Sequence, residues 1–174
     1  MSTKARGRGN IHTRRNLAEF DANDPYTPHF DPGETAVCTE CHALYERRHW
    51  FFDEEAYFYA SMQPDTHKVL CPACQKIRDR YAEGQVTLRA SAFLTAHKDE
   101  IRRIIQNEEA RAKGVNPLER IIAITESDEG LVVTTTNEKL AQRIGRTLKS
   151  AHHGETTYHW SEPKFLTVEW QRPD

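Results

Sequence analysis

Two Cys-x-x-Cys pairs, Cys38-Thr39-Glu40-Cys41 and Cys71-Pro72-Ala73-Cys74, hold all four cysteines of the chain, and no other feature limits its folding as strongly. A gap of two residues lets the backbone turn back so that both thiolates of a pair reach one ion. Two such turns supply the four soft ligands of a tetrahedral zinc site. The 29 residues between Cys41 and Cys71 exceed the usual spacing of about 15 to 20, but a longer loop adds little closure entropy. A redox pair, disulfides and an iron–sulfur site are the competing uses. A redox pair needs only one such motif within a βαβ unit, and disulfides suit an oxidising compartment. The expected cofactor is one structural Zn2+ held by Cys38, Cys41, Cys71 and Cys74. Four thiolates leave no open coordination position, so the ion is expected to support structure and not to act as a Lewis acid.

The surrounding sequence is that of an ordinary globular chain, 37% hydrophobic and 29% charged over 174 residues. No window approaches the roughly 18 apolar residues of a membrane helix, and the N-terminus lacks a secretory apolar run. The expectation is a cytoplasmic protein without a membrane partner. A net charge of -2 gives no global attraction to polyanions, yet Lys4, Arg6, Arg8, Arg14 and Arg15 occur in the first fifteen residues without an acid. With its Gly, Pro, Asp and Asn content, the stretch 1–36 is expected to be a mobile basic arm, either solvated or ordering on RNA.

Residues 37–83 form the expected zinc-ribbon module. Its aromatic residues, from Tyr45 to Tyr59, are expected to pack around the metal. Short strands are expected over 43–50 and 68–70, with a turn or short helix over 53–60. From residue 84 to 174 the pattern becomes β-α-β-β-α-β with an extra strand. A strand over 85–90 precedes an amphipathic helix over 91–113, in which Phe93, Leu94, Ile101, Ile104 and Ile105 recur at helical spacing. Strands over 118–125 and 131–136 follow. Asn137 caps a second helix with Leu140, Ile144 and Leu148 on one face, and strands over 156–160 and 165–170 close the set. The fold class is therefore α+β: a four-cysteine zinc ribbon followed by a ferredoxin-like sandwich. One antiparallel sheet of four or five strands should carry both helices on one face.

Nothing resembles a Ser/His/Asp set, a phosphate-cradling Gly loop or a His-Glu-x-x-His helix, so no enzymatic activity is expected. His42, His152, His153 and His159 have no ion left to serve. Basic charge gathers in two places. The second helix carries Lys139, Arg143, Arg146 and Lys149 opposite its apolar stripe, and the knuckles are surrounded by Arg47, Arg48, Lys68, Lys76, Arg78 and Arg80. Such side chains on a rigid scaffold pair with phosphates while aromatics stack on bases. The RNA-contacting set is thus expected to be Arg47, Arg48, Lys76, Arg78, Arg80, Lys139, Arg143, Arg146 and Lys149. The competing reading is a zinc-stabilised protein–protein adaptor in a transcription, stress or secretion complex. It would show exposed aromatics between Trp50 and Tyr59.

The two knuckles, the Val86-Thr87-Leu88-Arg89 strand and the Glu129-Gly130-Leu131-Val132-Val133-Thr134 strand feeding the helix from Asn137 together resemble one family. This is the N-terminal zinc-binding region of the large-ribosomal-subunit nuclear export adaptor, with its uncharacterised bacterial and archaeal relatives. The resemblance covers about residues 38–170. It implies association with the ribosome or its precursors, through ribosomal RNA and possible contacts to ribosomal proteins. Eukaryotic members carry further zinc-binding cysteines, so nuclear shuttling is not implied for this chain.

Overall fold

A computed structural model describes residues 24–162 and 164–173. The basic residues Lys4, Arg6, Arg8, Arg14 and Arg15 of the expected arm lie outside them. From Asp24 onward the chain is laid against the cysteine module. Tyr26 meets the Tyr81 ring at 5.1 Å, and Phe30 sits between Tyr45 and His67.

The module contains β1 (Ala36–Cys38), β2 (Leu44–Glu46), β3 (His49–Phe51), α1 (Glu54–Ser61), β4 (His67–Val69) and α2 (Pro72–Asp79). Its sheet runs β3-β2-β1-β4, with β4 parallel to β1. The strand expected over 43–50 is a hairpin, because Glu46 pairs with His49 and only Arg47 and Arg48 form the turn. The strand expected over 68–70 pairs with β1 and not with that hairpin. Helix α2 had no counterpart in the sequence reading, although Pro72 directly after a capping residue is a start signal. Cys71 is its N-cap, accepting from the Cys74 amide.

The second part holds β5 (Gly84–Arg89), α3 (Ala92–Val115), β6 (Ile121–Ser127), β7 (Gly130–Thr135), α4 (Glu138–His152), β8 (Glu155–Ser161) and β9 (Phe165–Gln171). This is the expected β-α-β-β-α-β-β order, and the chain adopts the expected α+β class. Ser91 Oγ caps α3 through the Leu94 amide, and Asn137 Oδ1 caps α4 through that of Leu140.

The sheet order β6-β7-β5-β9-β8 differs from the expected antiparallel plan, since β9 lies beside β5 in parallel register. The reason is visible in the strands themselves. Leu166, Val168 and Trp170 of β9 are fully buried, so that strand earns an interior position. Strand β8 alternates Thr, His and Ser with Tyr158 and Trp160 and is left at the edge, where polar residues guard an open strand. Val86, Leu88, Leu131 and Val133 complete the sheet side of the core. Ile101 and Ile105 of α3 and Leu140, Ile144 and Leu148 of α4 close it from above.

The two parts share an interface. Leu118 packs against the module's buried cluster, to which Ala36, Trp50 and Cys71 belong. Lys76 is 9% exposed and donates to Glu83 Oε1 at 2.8 Å and to the Thr136 carbonyl at 3.3 Å. The Lys113 ammonium lies 5.3 Å from the Phe52 ring centre.

Candidate metal centre and basic surfaces

Cys38 ends β1, Cys41 closes the first knuckle, Cys71 caps α2 and Cys74 occupies its first turn. The first knuckle is held by the His42 amide on the Cys38 carbonyl at 3.1 Å and the Cys38 amide on the Ala43 carbonyl at 2.8 Å. His42 adopts φ 63°, a conformation usually left to glycine, and its ring stacks on Tyr57 at 4.6 Å. This histidine shapes the turn and supports it from outside; it does not complete the ligand set.

All four Sγ atoms lie within 4.8 Å of one another, with Cys41 and Cys71 at 3.6 Å. A tetrahedral cage with metal–sulfur bonds of about 2.3 Å has edges of about 3.8 Å, so the sulfurs need to move little to enclose one ion. Backbone amides already face them: Cys71 N–H donates to Cys38 Sγ at 3.2 Å and Cys74 N–H to Cys71 Sγ at 3.4 Å. The α2 N-terminus adds its partial positive charge beside two thiolates.

Crowding sets the thiols against one another. Hydrogen bonds from Cys41, then Cys71 and Cys74, pull Cys38 down from the usual thiol range. Cys41, opposed by Cys38 but favoured by Cys71 and Cys74, is lowered to about 7. Cys71 and Cys74 are pushed up, each chiefly by Cys38. A divalent cation removes the conflict by stabilising every thiolate at once. The four cysteines are therefore positioned to hold one metal ion.

Of the aromatics expected around this centre, Tyr45 and Trp50 pack there, whereas Phe58 and Tyr59 point to solvent. The basic residues also separate into groups. Arg47 and Arg48 form the exposed tip of the β2–β3 hairpin, with φ of 50° and 67°. Lys68, Arg78 and Arg80 are exposed, although Arg78 pairs with Asp79 at 3.0 Å. Lys76 must be removed from the phosphate-contacting set, because its ammonium is buried and committed to Glu83 and Thr136.

On α4, Lys139, Arg146 and Lys149 are exposed. Arg143 is half-exposed and reaches the Glu119 carboxylate at 3.3 Å. Glu119 is 2% exposed, and its Oε2 has this ionic neighbour without an aligned hydrogen bond. Arg143 thus neutralises a buried charge in addition to lying on the basic ridge.

The sequence reading missed two aromatics on β8, the strand that borders α4. Tyr158 and Trp160 pair with Val168 and Leu166 and so share the helix-bearing face of the sheet, yet they remain 38% and 54% exposed at the edge. Burial raises the Tyr158 phenol above its ordinary value, and the charge of Arg146 opposes that shift. Gly145 permits this approach of helix and strand: a Cβ there would lie 2.6 Å from Val168 and 3.2 Å from the Tyr158 hydroxyl. Period-2 alternation puts both rings on one face of β8, a signal the sequence reading did not use, and the edge position of that strand leaves them exposed.

Fold and site together define a four-cysteine module, positioned to hold one metal ion, joined to a split βαβ sandwich. No family model matches the sequence, and no curated protein matches it significantly. Among the described residues, no helix is long and apolar enough to cross a membrane.

Proposed function

We propose that this is a non-catalytic structural-zinc protein that binds RNA, in the cytoplasm and in association with the ribosome or its precursors. Zinc is the ion best suited to four thiolates in a closed tetrahedral arrangement. The observation that carries the RNA reading is the hairpin tip. A two-residue turn with both φ values positive favours Asn-Gly, and each ordinary L-residue there costs about 1 to 2 kcal/mol. This chain instead has two arginines, Arg47 and Arg48, on a turn braced by the metal module. Strain retained at an exposed, doubly charged tip fits a contact that needs those guanidinium groups, and guanidinium is suited to phosphate.

Arg146 beside the exposed Tyr158 supports the same reading, because a ring next to a cation suits an unpaired base on a phosphate backbone. The ribosomal setting rests on the resemblance to the export-adaptor family. Acidic residues at 53–55 and 126–129 confine an RNA to one side, although Glu126 is already held by Lys98 and Arg102.

Two variants test this reading in opposite ways. Arg47→Asn with Arg48→Gly should raise unfolding free energy by about 1 to 2 kcal/mol while weakening binding to ribosomal RNA fragments. Equal RNA affinity in filter binding would remove the hairpin from the interface. Arg146→Ala with Lys149→Ala should leave the melting temperature unchanged and flatten the dependence of log affinity on log salt by about one unit per lost phosphate contact. Arg143 is unsuitable for this test because its removal strands Glu119. Failure of the wild-type protein to bind any ribosomal RNA fragment would overturn the reading itself.

A further inference from the structure

Helix α1 is apolar on two sides but covered on one. Ala56, Tyr57 and Ala60 face inward against Val37, Leu44 and Phe51, and Asp53 caps the helix through the Ala56 amide at 2.9 Å. On the outside, Glu55, Phe58, Tyr59 and Met62 follow the i, i+3, i+4, i+7 spacing of one helical stripe. Phe58, Tyr59 and Met62 are 67%, 69% and 67% exposed. Solvated aromatics of this size in a row mark a contact surface, since a soluble chain gains nothing from leaving them in water.

Charge chooses the occupant. Between Trp50 and His67 the chain has Asp53, Glu54, Glu55 and Asp65 and no Lys or Arg. Glu54 and Glu55 make no ion pair among the described residues. A shallow depression of about 450 Å³ lined by Asp53, Glu55, Ala56, Phe58 and Tyr59 joins the acidic and aromatic groups. A polyanion is repelled here. A second copy docking face to face would set the same carboxylates against each other. The stripe is about 10 Å long, or two helical turns, which matches the apolar face of a short helix.

We propose that the outer face of α1 docks a basic, amphipathic helical segment of another protein, with Phe58, Tyr59 and Met62 as apolar anchors and Glu54 and Glu55 pairing with its lysines or arginines. The binding mode is a helix laid along apolar anchors. It is independent of the RNA reading, uses a different surface and survives if that reading fails.

The probe is a synthetic Leu/Lys amphipathic peptide of about 18 residues, or about five helical turns. It is compared with its scrambled form and its Leu/Glu counterpart, using zinc-loaded full-length protein. The helical Leu/Lys peptide should bind best and shift amide resonances over 53–63. Phe58→Ala and Tyr59→Ala should each weaken it on the order of tenfold. Glu54→Lys with Glu55→Lys should reverse the preference towards the Leu/Glu peptide. Arg146→Ala with Lys149→Ala should have no effect. The proposal is overturned by absent binding, by equal binding of the scrambled peptide, or by shifts confined to other residues. It is equally overturned if oligouridylate occupies α1, or if Phe58→Ala abolishes a self-association seen in sedimentation.

Discussion

Cys71→Ser is expected to unfold the cysteine module while the five-stranded sheet survives. Cys71 is fully buried, accepts the Cys74 amide, and its sulfur stands 3.6 Å from Cys41. A serine hydroxyl in its place neither ionises at neutral pH nor offers a soft ligand. The module has only three-residue strands, two eight-residue helices and two small apolar clusters. Metal ligation is therefore expected to supply most of its folding free energy, on the order of 10 kcal/mol for structural zinc sites.

Amide resonances of residues 36–79 should collapse to the narrow range of an unfolded chain, and those of β5–β9 should remain dispersed. The sheet should melt earlier, because Leu118 and Glu83 lose their partners across the interface. Strong chelation of the wild-type protein should produce the same spectrum. Full dispersion in the variant, or loss of the sheet together with the module, would refute the division of energies described above. Ligation requires thiolates, so metal retention should also weaken as pH falls.

Lys76→Met is expected to destabilise the zinc-loaded protein by about 3 kcal/mol, the scale for leaving one member of a buried ion pair without its partner. Glu83, with a side chain only 13% exposed, would keep a charge that nothing nearby answers, and the Thr136 carbonyl would lose a donor. Adding Glu83→Leu should recover most of the loss, because two apolar groups can replace a buried pair at little cost. Urea unfolding of the two single variants and the double variant measures the coupling directly. RNA affinity of Lys76→Met should equal that of the wild type at temperatures where both are folded. A loss of affinity without a loss of stability would return Lys76 to the phosphate-contacting set.

Lys76 illustrates the limit of reading charge from sequence. In the run Lys76-Ile77-Arg78-Asp79-Arg80 it is indistinguishable in kind from its exposed neighbours. Its burial depends on where α2 meets the turn at Glu83 and the carbonyl of Thr136, residues that are distant in sequence. Arg143 differs from Arg146 for the same reason, since the buried Glu119 lies opposite one and not the other. The aromatic run from Trp50 to Tyr59 divides likewise: Trp50 enters the metal module's core, while Phe58 and Tyr59 face outward.

The sequence alone determined the four-thiolate cluster, the helix caps at Ser91 and Asn137, and the β-α-β-β-α-β-β order. Each follows from spacing, periodicity or a capping side chain within a few residues, so each is encoded locally. The tertiary structure alone decided that β9 sits beside β5, that Lys76 joins two modules, and that α1 turns an aromatic stripe to water. These outcomes depend on which distant surfaces bury each other, and burial is a property of the pair of surfaces and not of either stretch of chain.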